Sequence, residues 1–192
     1  MPRKIALIDA HPDPDPARFV HALAVAYAEG AEAGGHAVRR IDLARLDFPL
    51  LRSPADWKTG TPVADIIAAQ EVIAWADHIV ILYPLWLGDM PALLKGFLEQ
   101  VARPGYAIAA DAAMKPVLKG KSARVVVTMG MPGLVYRIWF RAHSLLSLKR
   151  NILEFVGIRP VRTTVFGLVE GSSAETRAGW VARMRAMGRR GE

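Results

Sequence analysis

The run from His78 to Tyr83 (HIVILY), bounded by Asp77 and Pro84, is the feature that most limits what this chain can fold into. It is too short to span a membrane and too rich in Ile and Val to be a surface helix. It reads as a strand buried on both faces, which means a parallel sheet covered by helices. A turn with Pro84, Trp86, Gly88 and Asp89 follows. A helix then opens, with Asp89 as the expected N-cap, Pro91 in its first turn and Leu93, Leu94, Phe97, Leu98 and Val101 on one face. In an open α/β sheet, ligands sit beyond the carboxyl ends of the central strands. Trp86 at such an end either covers a flat ligand or closes the core, and the stretch alone leaves both readings open.

Four further strands are predicted: 4–8 (KIALI), 38–43, 123–129 (ARVVVTM) and 161–167 (VRTTVFG). Residues 9–16 (DAHPDPDP) are barred from helix by alternate prolines. Asp15 is the expected N-cap of a first helix, with Pro16 at its first position and Gly34-Gly35 as its stop. Arg39 and Arg40 place the second strand near an edge. Helices are expected over 63–76, in an aromatic segment with Tyr136, Trp139 and Phe140, over 144–156 and from Ala174 onward, with long connections at 46–62 and 103–121. Strands alternating with helices predict a doubly wound α/β fold of five parallel strands. Flavodoxin-like order, 2-1-3-4-5, is the leading topology. The length of 192 residues suits one domain over 1–192.

Several chemistries are disfavoured. No cysteine is present, so disulfides and thiolate chemistry are excluded. The five histidines lack metal-ligand spacing, so no metal is assigned. Neither G-x-G-x-x-G after the first strand nor a P-loop is found, and G-x-S-x-G is absent. Net charge is +7, but the arginines near the C-terminus interleave with Trp180, Met184 and Met187 at helical spacing. They read as a solvated helix face, so nucleic acid is not an expected partner. The N-terminus lacks a signal-peptide pattern and no apolar run reaches spanning length, so a cytoplasmic location is expected.

In the 2-1-3-4-5 order the loops at 9–16, 84–89 and 129–133 converge. The first helix start offers N–H groups and dipole to a phosphate. Asp9, Asp13 and Asp15 must then turn away or cap backbone, with His11 and Arg18 on the positive side. A flat ring between Trp86 and the 130–133 turn, with its phosphate at the first helix, describes a flavin nucleotide. Thr128 and the N–H groups of Gly130 and Met131 would face its polar edge.

Four blocks carry a resemblance that runs over nearly the whole chain. They are H-P-D-P at 11–14, the stretch 75–97 with P-L-W-L-G-D-M-P-A-L-L-K-G, V-T-M-G-M-P at 127–132 and G-I-R-P-V-R-T-T-V-F-G at 157–167. Together they resemble the NAD(P)H:quinone oxidoreductase family, a flavodoxin-like group that includes DT-diaphorase, modulator of drug activity B and ancillary subunits of potassium efflux systems. The resemblance implies an FAD or, as the alternative, FMN enzyme, working as a homodimer. It implies two-electron hydride transfer from NAD(P)H through the flavin to a quinone or similar acceptor. It places His11, Arg18 and Phe19 at the flavin's phosphate end, Pro84, Leu85, Trp86 and Leu87 along the ring, and Thr128, Met129, Gly130 and Met131 at its polar edge. Tyr136 matches a family tyrosine near the flavin and His143 the histidine that partners it, both in catalytic roles. The family loop runs H-P-x-x-x-S-F-N; here it is two residues longer, with Arg18 and Val20 in place of Ser and Asn. The alternative reading is a flavoprotein regulatory subunit that associates with a membrane transporter of the potassium efflux type.

Overall fold

The structure, a computed structural model, describes residues 1–111 and 113–192; position 112, inside the predicted 103–121 connection, lies outside the described residues. Five strands form one parallel sheet: β1 Lys4–Asp9, β2 Ala37–Asp42, β3 His78–Pro84, β4 Ser122–Thr128 and β5 Val161–Phe166. Their order is β2-β1-β3-β4-β5, as the alternation of elements predicts. Between them run α1 Phe19–Ala33, α2 Pro54–Lys58, α3 Ala64–Trp75, α4 Ala92–Val101, α5 Gly133–Ile138 and α6 His143–Leu146, which continues into a π-helical stretch, Ser147–Leu153. The chain ends on α7, Ala174–Arg190. Among the described residues no helix is long and apolar enough to cross a membrane.

The period-two alternation of each strand sorts the sheet into two cores. Ile5, Leu7, Val80, Leu82, Val126 and Phe166 face α1 and α7. Ala6, Ile8, Ile79, Ile81, Tyr83, Val125 and Val127 face α3, α4 and the segment that follows α6. β3 is buried at every position, the outcome its unbroken apolar run demands. On β2, Arg39 and Arg40 are exposed because the strand is the sheet edge.

Two helix starts differ from the sequence expectation. α1 begins at Phe19 with Arg18 as N-cap, not at Pro16. The Asp15 carboxylate is already used by the Ala17 N–H, at 3.0 Å, and Arg18 N–H closes a separate turn on the Asp15 carbonyl. α4 begins at Ala92 behind Pro91. The Asp89 side chain accepts from Met90 N–H at 2.7 Å, so it caps a turn in place of the helix.

His78, at the start of β3, is 3 % exposed. Its Nδ1 lies 2.8 Å from Ser122 Oγ, and its Nε2 has no hydrogen-bond partner among the described residues. Burial, reinforced by Arg3 and Arg124, lowers its pKa to about 4. The unfolded chain therefore takes up a proton that the native ring refuses, and stability falls as pH drops from about 6.5 toward 4, by on the order of 3 kcal/mol. Urea midpoints measured across that range should show a slope that flattens in His78→Gln. An unchanged slope would assign the acid sensitivity to other groups.

Candidate active site

The carboxyl ends of β1, β3, β4 and β5 open onto one cleft of about 460 Å³, lined by His11, Asp13, Ala17, Arg18, Phe19, Val20, Pro84, Leu85, Trp86, Thr128, Met129, Gly130, Val169 and Glu170. That volume falls in the range of cofactor and small-ligand sites. It lies at the point where the chain reverses direction across the sheet, between β1 and β3.

The loop after β1 has an unusual internal logic. Residues 12, 14 and 16 are prolines and bring no N–H. The remaining N–H groups are each met by the side chain two residues earlier. His11 N–H points to Asp9 Oδ1 at 3.4 Å, Asp13 N–H donates to His11 Nδ1 at 3.1 Å, Asp15 N–H to Asp13 Oδ1 at 3.0 Å and Ala17 N–H to Asp15 Oδ1 at 3.0 Å. These are successive Asx-type turns. The acidic residues do cap backbone, as the sequence reading requires, and the loop keeps no spare N–H for an anion. The open donors belong to the first turn of α1, at Phe19 and Val20, where no side chain caps the helix.

The positive side expected from His11 and Arg18 is corrected. Arg18 gives Nε to Asp13 Oδ2 at 2.8 Å, and its Nη2 lies 2.6 Å from Asp13 and 3.5 Å from Asp15. Its charge is matched within the loop. His11 is buried, and burial together with the nearby His21 lowers its pKa. His11 Nδ1 lies 3.1 Å from Asp13 N and 3.2 Å from Asp13 O, so the loop backbone fixes the ring, and its lowered pKa weakens it as a cation.

Trp86 is fixed by a two-residue hairpin turn. Trp86 and Asp89 exchange both backbone hydrogen bonds at 2.9 Å, and Leu87 and Gly88 take φ of 47° and 80°, the signature of a type I′ turn. The indole meets the His11 ring edge-on at 5.8 Å. Leu85 N–H donates to the Thr128 carbonyl at 2.8 Å, tying this loop to β4. Leu87, expected along the ring, is instead at the tip of the turn, 107 % exposed, and does not line the cleft.

The turn after β4 interlocks with the loop after β5. Met129 N–H donates to Phe166, Val169 N–H to Met129 and Leu168 N–H to Met131. A Cβ on Gly130 would come within 3.0 Å of Glu170 Oε2, and one on Gly167 within 2.3 Å of Gly133 N. Gly167 thus lets the two loops cross backbone to backbone, while the Glu170 carboxylate lies over Gly130.

Nine expected residues come together in the cleft: His11, Arg18, Phe19, Pro84, Leu85, Trp86, Thr128, Met129 and Gly130. Met131, half-buried beside Met129, does not line it. Tyr136 and His143 do not form a pair. Tyr136 is 1 % exposed; its hydroxyl lies 2.7 Å from Ser144 Oγ and accepts from Leu145 N–H at 3.1 Å. His143 is exposed. The αL conformation of Arg141 and Ala142 turns the chain so that Ser144, one residue on, faces Tyr136. Ala17, Val20, Val169 and Glu170 line the cleft without having been singled out. Glu170 follows β5, and the strand order alone, by placing β5 beside β4, carried that signal.

An apolar wall of Pro84, Leu85 and Trp86, the exposed backbone of Gly130 and open N–H groups at α1 fit a flat aromatic ring with an anionic tail. A family model described as flavodoxin-like fold matches residues 3–187. A ribosyldihydronicotinamide dehydrogenase-like protein of Penicillium crustosum is 29% identical over 156 residues, covering 66% of this chain and 57% of that protein. This chain therefore spans little more than half the length of that relative. An FMN-dependent NADH:quinone oxidoreductase of Bordetella petrii is 29% identical over 165 residues, covering 84% of this chain and 71% of that one. Among solved structures, an NAD(P)H:quinone oxidoreductase of Methanothermobacter marburgensis superposes with a TM-score of 0.83 at 25% identity, covering 98% of this chain and 96% of that chain.

Proposed function

Because the chain belongs to the flavodoxin-like fold family, we propose that it is a flavin-dependent NAD(P)H:quinone oxidoreductase whose flavin occupies the cleft at the ends of β1, β3, β4 and β5. The observation that carries the reading is the convergence of Trp86, the Gly130 edge and the open α1 start on one cleft. A bound flavin supplies the hydride chemistry between NAD(P)H and a quinone.

The chain's own residues do the rest. Pro84, Leu85 and Trp86 hold the ring flat and shed water from one face. The N–H groups of Phe19 and Val20 hold the phosphate end. The His11 ring and the backbone at Gly130 face polar ligand atoms, where fixed dipoles stabilise developing negative charge. Tyr136 acts at a distance by anchoring Ser144 and Leu145 behind the β4 loop. NAD(P)H and the acceptor take turns at the same open face, which is consistent with the lack of a separate dinucleotide fingerprint.

FAD is the flavin proposed and FMN the alternative. A second copy of the chain is proposed to cover the exposed apolar segment of Leu134, Ile138 and Trp139, which are 69 %, 68 % and 81 % exposed. The test is to purify the protein, release any chromophore for mass measurement, and follow NADH and NADPH oxidation with menadione. A yellow dimer that turns over quinone without one-electron products is the expected result. A colourless protein that takes up neither FAD nor FMN overturns the reading.

A further inference from the structure

A second histidine stands behind the cleft loop, and no part of the proposed chemistry uses it. His21, in the first turn of α1, spans from the sheet to the loop. Its Nδ1 lies 2.6 Å from Asp9 Oδ2 and its Nε2 lies 2.9 Å from the Asp13 carbonyl oxygen. Asp9 is the last residue of β1 and is 1 % exposed. A carbonyl oxygen only accepts, so Nε2 must carry a proton. The short contact from Nδ1 to the Asp9 carboxylate needs a second one. The geometry is satisfied by an imidazolium clamped between a buried carboxylate and a backbone carbonyl.

We propose that His21 is a positioning residue: with Asp9 it staples the 9–18 loop to the end of β1, so the loop's hold on the flavin depends on the proton that the Asp9–His21 pair shares. This rests on the flavin reading above. The staple bears on the site through two short links. The Asp13 that His21 holds by its carbonyl also gives its N–H to His11 Nδ1. Asp13 further holds Arg18, the residue that precedes the open N–H groups of α1. The His11 ring in turn sits 5.4 Å from His21 and 5.8 Å from Trp86.

The charged groups around His21 are few. On β1 there is Asp9. On β2 there are Arg40, 3.7 Å from Asp9 Oδ2 and 3.3 Å from Asp42, and Asp42 itself. On the loop there are His11 and Asp13, the latter already paired with Arg18. Arg45 lines the same recess. Burial opposes the His21 charge, but the Asp9 bond, the Asp13 carbonyl and Asp42 outweigh it, and its pKa lies above the ordinary value. The same charge helps keep His11 neutral. A raised pKa means the clamp is fully present below about pH 6.5 and is lost as pH rises through the native value. When the proton leaves, one of the two bonds fails and Arg40 remains to hold Asp9.

Two measurements test this. In flavin-free protein with 15N-labelled histidine, His21 should titrate above pH 6.5, and the amide signals of Asp13, Asp15 and Ala17 should move with it. In flavin-binding titrations followed by fluorescence, wild-type affinity should weaken about tenfold as pH rises through that midpoint. His21→Gln should bind weakly with a flat pH profile. Asp9→Asn, which keeps the side-chain shape, should move the His21 midpoint down toward 6.5 and shift the affinity profile with it. A His21 midpoint below 6.5, or a His21→Gln profile that still follows wild type, overturns the proposal. If His21 and the loop amides titrate together but neither flavin binds, the staple stands and the flavin reading fails.

Discussion

Gly30→Val is expected to destabilise the chain by at least about 3 kcal/mol, lowering the urea midpoint by about 1 M or more. α1 and α7 cross with their backbones nearly touching. A Cβ on Gly30 would lie 2.0 Å from the Arg185 carbonyl oxygen, one on Gly34 2.3 Å from that of Arg189, and one on Gly188 2.1 Å from that of Tyr27. These neighbours are backbone atoms, so no side-chain rotation relieves the clash; the helices must part. That separation would unpack Leu23, Ala26, Tyr27, Met184 and Met187 from the sheet face they share. Gly179→Ala is the matching control. Gly179 is exposed inside α7, and its added Cβ meets nothing within 4 Å. It should gain about 0.5–1 kcal/mol from the entropy of the unfolded chain. Equal midpoints for the two variants would show that the helix crossing is looser than the structure has it.

Ala17→Asp is expected to weaken flavin binding between tenfold and about a hundredfold, with the fold intact. Ala17 is exposed, lines the cleft and precedes the open start of α1. A carboxylate there favours the helix dipole, so stability should hold or rise slightly. The same charge competes for the α1 N–H groups and repels the phosphate end of the ligand. The effect should shrink as salt is added, since it acts through a solvent-exposed position. Ala17→Asn, isosteric and uncharged, should cost much less. Unchanged affinity in Ala17→Asp would remove the ligand's anion from α1.

Much of the fold was legible because it follows from local rules. The HIVILY run reads as a strand buried on both faces, Arg39 and Arg40 place the second strand near an edge, and alternating elements with right-handed crossovers left one leading strand order. The cleft wall at 84–86 and the turn at 128–130 followed from that order. The α1 start was misplaced because Asp15-Pro16 has the chemistry of a helix cap. A ladder of side-chain bonds through 9, 11, 13 and 15 claimed that carboxylate first. Leu87 was misassigned because a run of four apolar or aromatic residues conceals a hairpin turn whose positive φ values throw one of them outward. The Tyr136–His143 pair failed on a single residue of register, since the left-handed pair Arg141-Ala142 presents Ser144 to the hydroxyl.

The sequence by itself determined the class of sheet and made one strand order, and so one set of converging loops, the leading choice, because hydrophobic periodicity and crossover handedness are local properties of the chain. Tertiary structure alone decided which polar groups remain free to bind. Asp13 pairs with Arg18, burial lowers the His11 pKa, the N–H groups of 11, 13, 15 and 17 are spent on loop side chains and His21 reaches buried Asp9. Each of these depends on two groups meeting at hydrogen-bonding distance with water excluded, and pattern along the chain does not encode that distance.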